Sequence, residues 1–174
     1  MAAGPGGVFF DTNVIVYAYD ATAPAKQGRA RVAIDAAMKA DRFVISTQVM
    51  QEFYNVALRR RLMSAPHATQ LLKHLAEHTV VPASADSVLR ALSLQQRHAL
   101  SLWDALIVQA ALDAGCTVLY SEDLQEGRRF DTSGGAQPVL QVVNPFKADG
   151  PDSSAPAVHE PRASYRVAAK RRRA

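Results

Sequence analysis

The chain has 174 residues, 48% hydrophobic and 21% charged, enough for one domain with a full core. A single cysteine excludes an internal disulfide, and no apolar run reaches the roughly 18 residues of a membrane span. The net charge of +4 lies at one end: residues 1–146 hold 13 basic and 13 acidic side chains, whereas residues 147–174 hold seven basic and three acidic ones. The high pI therefore implies no basic face on the folded body.

The start, Met1 to Gly7, lacks the basic region and apolar core of a signal peptide, so a cytoplasmic protein is expected. Val8-Phe9-Phe10 reads as a strand stopped by Asp11-Thr12-Asn13, with a helix following through Tyr19. Thr22 and Pro24 open a second helix, whose Ala30, Ala33, Ile34, Ala37 and Met38 form a core-facing stripe. Arg42 to Ile45 is a second strand, and Ser46 or Thr47 caps a third helix to about Arg60. Ser64 and Pro66 begin a fourth helix, Thr79 to Pro82 is a third strand, and Ser84 to about Gln96 is a fifth helix.

The sixth helix, Leu102 to Leu112, is apolar after Asp104 apart from Gln109, which marks it as buried, and Gly115 can close it in the left-handed conformation. Cys116 falls in the apolar run that follows and reads as a small core residue. Thr117 to Tyr120 is a fourth strand ending at Ser121-Glu122-Asp123, and Val139 to Val143 a fifth, stopped by Asn144-Pro145-Phe146. Strands alternating with helices predict an α/β protein whose mostly parallel sheet of four to five strands is flanked by helices. Two regions are expected: a folded domain over 1–146, and a disordered tail over 147–174 rich in Ala, Pro, Ser and Arg.

The acids carry the functional signal. Asp11 and Asp123 follow two apolar strands, and the carboxyl ends of a parallel sheet open on one edge. Glu52 lies at the border of the third helix's apolar face, with Asn55 and Val56 rather than a basic residue one turn on. Asp104 sits in the first turn of a buried helix, where Ser101 and Asp104 also fit a capping box. Each position has an ordinary explanation as a cap, turn acid or solvated side chain. Converging on one crevice, the four would repel unless a cation neutralised them, and oxygen ligands without sulfur suit Mg²⁺ or Mn²⁺. Glu122 competes with Asp123 for the fourth place, since neighbouring residues of an extended segment point opposite ways.

Phe10-Asp11-Thr12-Asn13, Ser46 to Phe53, Leu102 to Ile107 and Leu119 to Gln125 resemble, in order, the four acidic motifs of PIN-domain nucleases. Asn144-Pro145-Phe146 resembles the close of the VapC-type toxins of that family. The resemblance runs from Val8 to about Phe146 and implies an α/β/α sandwich and a Mg²⁺-dependent endoribonuclease. In many members it further implies a homodimer held in check by a small antitoxin. It makes Asp11, Glu52, Asp104 and Asp123 the acidic quartet, with Asn13 and Ser121 as supporting hydrogen-bonding groups. Glu126 before Gly127 departs from the pattern, because many relatives carry histidine there, and the tail has no counterpart in it.

Such a site would hydrolyse a phosphodiester with water, leaving a 5′-phosphate and a 3′-hydroxyl. RNA needs basic groups at the rim of an acidic crevice. Arg59-Arg60-Arg61 and Arg128-Arg129 are the candidates, although cations at a helix C-terminus also suit its dipole. Lys170 to Arg173 either adds nonspecific phosphate affinity or is a solvated extension. His74 and His78 are spaced for zinc but have no third ligand, and a metal-free ribonuclease using paired histidines is the rival chemistry. A phosphoacceptor domain would need a lysine directly after its last strand, where this chain has Asn144-Pro145-Phe146. A PIN domain that binds or processes RNA in a housekeeping or non-catalytic role is the alternative from another class.

Overall fold

The computed structural model describes residues 6–131 and 139–147. Past Lys147, the tail assigned above lies outside the described residues, as does the Lys170 to Arg173 run.

Strand β1 (Gly7–Phe10) is buried along its whole length at the centre of a six-stranded sheet. It pairs in parallel with β2 (Phe43–Ser46) on one side and β4 (Cys116–Tyr120) on the other. Beyond β2 lies β3 (Thr79–Val81), and beyond β4 lies β6 (Leu140–Val143), both parallel. The two-residue β5 (Arg129–Phe130) runs antiparallel at the edge, giving the order β3-β2-β1-β4-β6-β5. A strand this short has no readable alternation, so the sequence pattern missed it.

The helices are α1 (Thr12–Tyr19), α2 (Pro24–Lys39), α3 (Thr47–Arg59), α4 (Ala65–Leu75), α5 (Ala85–His98) and α6 (Leu102–Asp113). Ser46 caps α3 by accepting from Val49 N–H at 3.3 Å. Thr22 does not cap α2: its N–H and hydroxyl donate back to Asp20, and the N-cap position falls to Ala23. The buried Asp20 also stands 3.1 Å from Arg60, tying the end of α1 to the end of α3. In α6, Ala105, Ile107, Val108, Ala111 and Leu112 are buried, as its composition predicts, and Gly115 closes the helix at φ +67°.

The core is continuous, with Phe9, Phe10, Phe43, Phe53, Ile107 and Leu119 among its fully buried members. Cys116 belongs to it, and burial pushes its thiol up to about 12. Among the described residues no helix is long and apolar enough to cross a membrane.

Candidate functional site

Parallel strands aligned with β1 deliver Asp11, Ser46 and Ser121 to one edge of the sheet, each immediately at or after a strand end. Asp11 is wholly buried. Its Oδ1 accepts from Thr12 N–H at 2.7 Å, which makes it the N-cap of α1. Its Oδ2 accepts from Ser121 Oγ at 2.7 Å and Asn13 Nδ2 at 3.3 Å. Those donors satisfy a carboxyl group in the interior, where an unpartnered one would be costly.

Asn13 links two acids, because its Nδ2 also donates to Asp123 Oδ2 at 3.1 Å. Glu52 joins from α3: its Oε2 accepts from Thr12 Oγ1 at 2.7 Å and its Oε1 from Gln48 Nε2 at 2.9 Å. The same Gln48 amide reaches the Trp103 carbonyl at 3.4 Å, connecting Glu52 to the first turn of α6. Asp104 in that turn is half-buried. Its N–H donates to Ser101 Oγ at 3.1 Å, and its Oδ2 accepts from the same hydroxyl at 2.7 Å. The cap expected there is present, and it engages the Asp104 side chain as well as its backbone.

Asp11, Asn13, Glu52, Ser121 and Asp123 thus belong to one hydrogen-bonded network, with Asp104 attached through Gln48 and its own helix turn. Glu122 is directed elsewhere: its carboxylate pairs with Lys26, while Asp123 faces Asn13. Of the two adjacent acids, Asp123 is the one that enters the network.

The oxygens gathered here belong to carboxylates and hydroxyls, without thiols or imidazoles, which suits a hard divalent cation. Asn13 and Thr12 stand between the acids. Among the described residues no three Asp, Glu, His or Cys side chains close around one point. An ion would therefore take over oxygens that these two side chains now engage.

Several other assignments resolve locally. Arg60 is engaged by Asp20, and Arg128 donates to the His98 carbonyl while lying 5.1 Å from the Phe130 ring centroid. Both therefore have structural work; Arg59, Arg60, Arg61 and Arg129 are exposed. His74 bonds Glu77, and His78 lies past the end of α4 and packs edge-on to Phe43, so the pair does not share the helix face that zinc spacing supposes. His98 packs against Phe130, and burial, then Arg128 and Arg97, lower its pKa. Glu126 accepts from the Asn144 N–H.

Sequence reasoning missed two groups. Gln48 was not singled out within its motif, although its position one turn before Glu52 is a signal for a side-chain pair. Lys26, Tyr17 and Phe146 meet from three separate segments, and no local pattern reports that.

Comparisons with known proteins bear on the fold and the family. The chain superimposes on a toxin-antitoxin complex protein from Klebsiella pneumoniae with a TM-score of 0.59 at 20% identity, covering 82% of this chain and 100% of that one. It superimposes on VapC20 of Mycobacterium tuberculosis, a sarcin-ricin loop cleaving toxin, with a TM-score of 0.54 at 21% identity, covering 67% of this chain and 90% of that one. At these identities the likeness is one of fold. No curated protein sequence matches the chain. Residues 8–129 match the PIN domain, a span that contains every acid of the network, and the chain therefore belongs to the PIN-domain family.

Proposed function

We propose that this protein is a Mg²⁺-dependent endoribonuclease acting as the toxin of a toxin–antitoxin pair, with Asp11, Glu52, Asp104 and Asp123 as its acidic quartet. The observation that carries the reading is the Asn13 bridge between Asp11 and Asp123 at the sheet edge of a PIN-family chain. Mg²⁺, or Mn²⁺ in its place, would lower the pKa of a water and neutralise charge developing on the phosphoryl oxygens.

The chain's own groups supply the rest. Ser121 and Thr12 N–H hold the Asp11 carboxyl group fixed in direction. Thr12 and Gln48 fix both oxygens of Glu52, so this acid is presented in one orientation. Asp123, exposed and held through one oxygen by Asn13, is the acid placed to orient or deprotonate an attacking water. The exposed Arg59, Arg61 and Arg129 are the candidates for phosphate contacts, with a smaller share for Arg60 and Arg128.

The named relatives, one from a toxin-antitoxin complex and one a sarcin-ricin loop cleaving toxin, support an antitoxin as partner and a ribosomal RNA loop as substrate, with transfer RNA as the other candidate in this reading. A homodimer and a cytoplasmic location belong to the same reading. The test is cleavage of total RNA by purified protein, with and without EDTA, followed by mapping of the new ends. Metal-dependent products bearing 5′-phosphate and 3′-hydroxyl, absent for Asp104→Ala, support it. A 2′,3′-cyclic phosphate or EDTA-resistant cleavage overturns the metal chemistry, and RNA binding without cleavage leaves the non-catalytic alternative.

A further inference from the structure

Lys26 in α2 lies outside the acidic motifs, yet its ammonium is enclosed by groups beside them. It pairs with the Glu122 carboxylate and donates to the Tyr17 hydroxyl at 3.1 Å. It also lies 4.4 Å from the Tyr17 ring centroid and 5.5 Å from that of Phe146. The Lys26 and Glu122 side chains are only 29% and 20% exposed, so solvent screens this pair less than a surface bridge. Tyr17 and Phe146 meet edge-on at 4.9 Å, and Arg29, one turn after Lys26, donates to the Phe146 carbonyl at 2.6 Å. One face of α2 thereby holds both the turn after β4 and the segment after β6.

Glu122 sits between Ser121, which donates to Asp11, and Asp123, which accepts from Asn13. Its backbone N–H donates to Asn13 Oδ1 at 3.4 Å. A side-chain amide has a direction: with Oδ1 facing this N–H, Nδ2 is turned to the two acids. The opposite orientation would set a carbonyl oxygen against both carboxylates and against no donor.

We propose that Lys26 is a positioning residue for the acidic site. By pairing with Glu122 it anchors the turn from Ser121 to Asp123, so that the Glu122 N–H holds the Asn13 amide with its NH₂ group toward Asp11 and Asp123. The same pair keeps the Glu122 charge away from those acids. The proposal deepens the functional reading above and rests on it only for the consequence for metal binding.

The test uses ¹⁵N-labelled full-length protein without metal, with the Asn13 side-chain NH₂ signals assigned by their loss in Asn13→Asp. Lys26→Met should move these signals toward those of a free asparagine, and Lys26→Arg should keep them near the wild-type positions. Glu122→Gln should shift them in the same direction as Lys26→Met, and the double variant should go no further than Lys26→Met alone. In a Mn²⁺ titration, Lys26→Met should weaken binding roughly tenfold, with Lys26→Arg restoring most of it. Melting temperatures read alongside identify a variant that fails to fold, in which case the near-isosteric Glu122→Gln carries the test. Unmoved Asn13 signals in a folded Lys26→Met or Glu122→Gln protein overturn the proposal, as do additive effects in the double variant. If the signals move as expected but the wild type binds no Mn²⁺, positioning by Lys26 stands and the metal reading falls.

Discussion

Ser121 Oγ donates to Asp11 Oδ2 at 2.7 Å across 110 positions of sequence, and accepts from the N–H groups of Asp123 and Leu124 at 3.2 and 3.4 Å. One hydroxyl thus fixes a buried anion and starts the turn that presents Asp123. Ser121→Ala removes a donor from a charged, buried acceptor and strands two N–H groups. The expected loss of stability is about 1–3 kcal/mol, measured by urea unfolding. RNA cleavage should fall roughly tenfold, as for loss of a group supporting a ligand.

Asp11→Asn should reduce cleavage at least about a hundredfold, beyond the range typical of supporting residues. Thr12→Val should cost roughly tenfold, because it removes the donor to Glu52 but leaves the acid and its Gln48 contact. Single-turnover rates at saturating Mn²⁺ distinguish the two, and equal losses would contradict the division between acid and support.

His98 makes stability pH-dependent. Its pKa lies below the ordinary value because burial and the nearby Arg128 and Arg97 disfavour the charged ring. The unfolded chain then binds the proton more readily than the folded one. This contribution is fully present above the unfolded pKa of about 6.5 and is lost as pH falls toward the folded value. Melting temperature should therefore drop between pH 7.5 and 5.5, and His98→Gln should make that slope shallower. An unchanged slope refutes the assignment.

Cys116 should be inert. With its thiol raised to about 12 by burial, almost none is thiolate at pH 8, so alkylation by iodoacetamide should require unfolding. Mass spectrometry of native and urea-treated protein after the same exposure checks this. Rapid labelling of the folded chain would contradict a thiol held shut at the start of β4.

How far these features were readable without coordinates depended on how local their causes are. Asp11 and Asp123 were legible because an acid after an apolar strand announces a carboxyl edge, and parallel topology follows from the alternation of elements. Glu52 was legible from its place on the helix wheel. The different directions of Glu122 and Asp123 were not, since Glu122 pairs with Lys26 from 96 positions away. Strand β5 escaped because two residues carry no period, and the Thr22 cap failed because Asp20 offered a nearer acceptor. Arg60 and Arg128 read as rim cations because a charge run shows its sign but not the partner it has already taken.

The central position of β1 carries a consequence for biosynthesis. Its first neighbour, β2, emerges from the ribosome soon after it, but its other neighbour, β4, is translated only some hundred residues later. At about 5–20 residues per second, Asp11 waits several seconds or more for the hydroxyl that steadies it. A nascent chain interrupted before Ser121 thus holds half a sheet, and its Asp11 lacks the hydroxyl donor that the finished fold supplies.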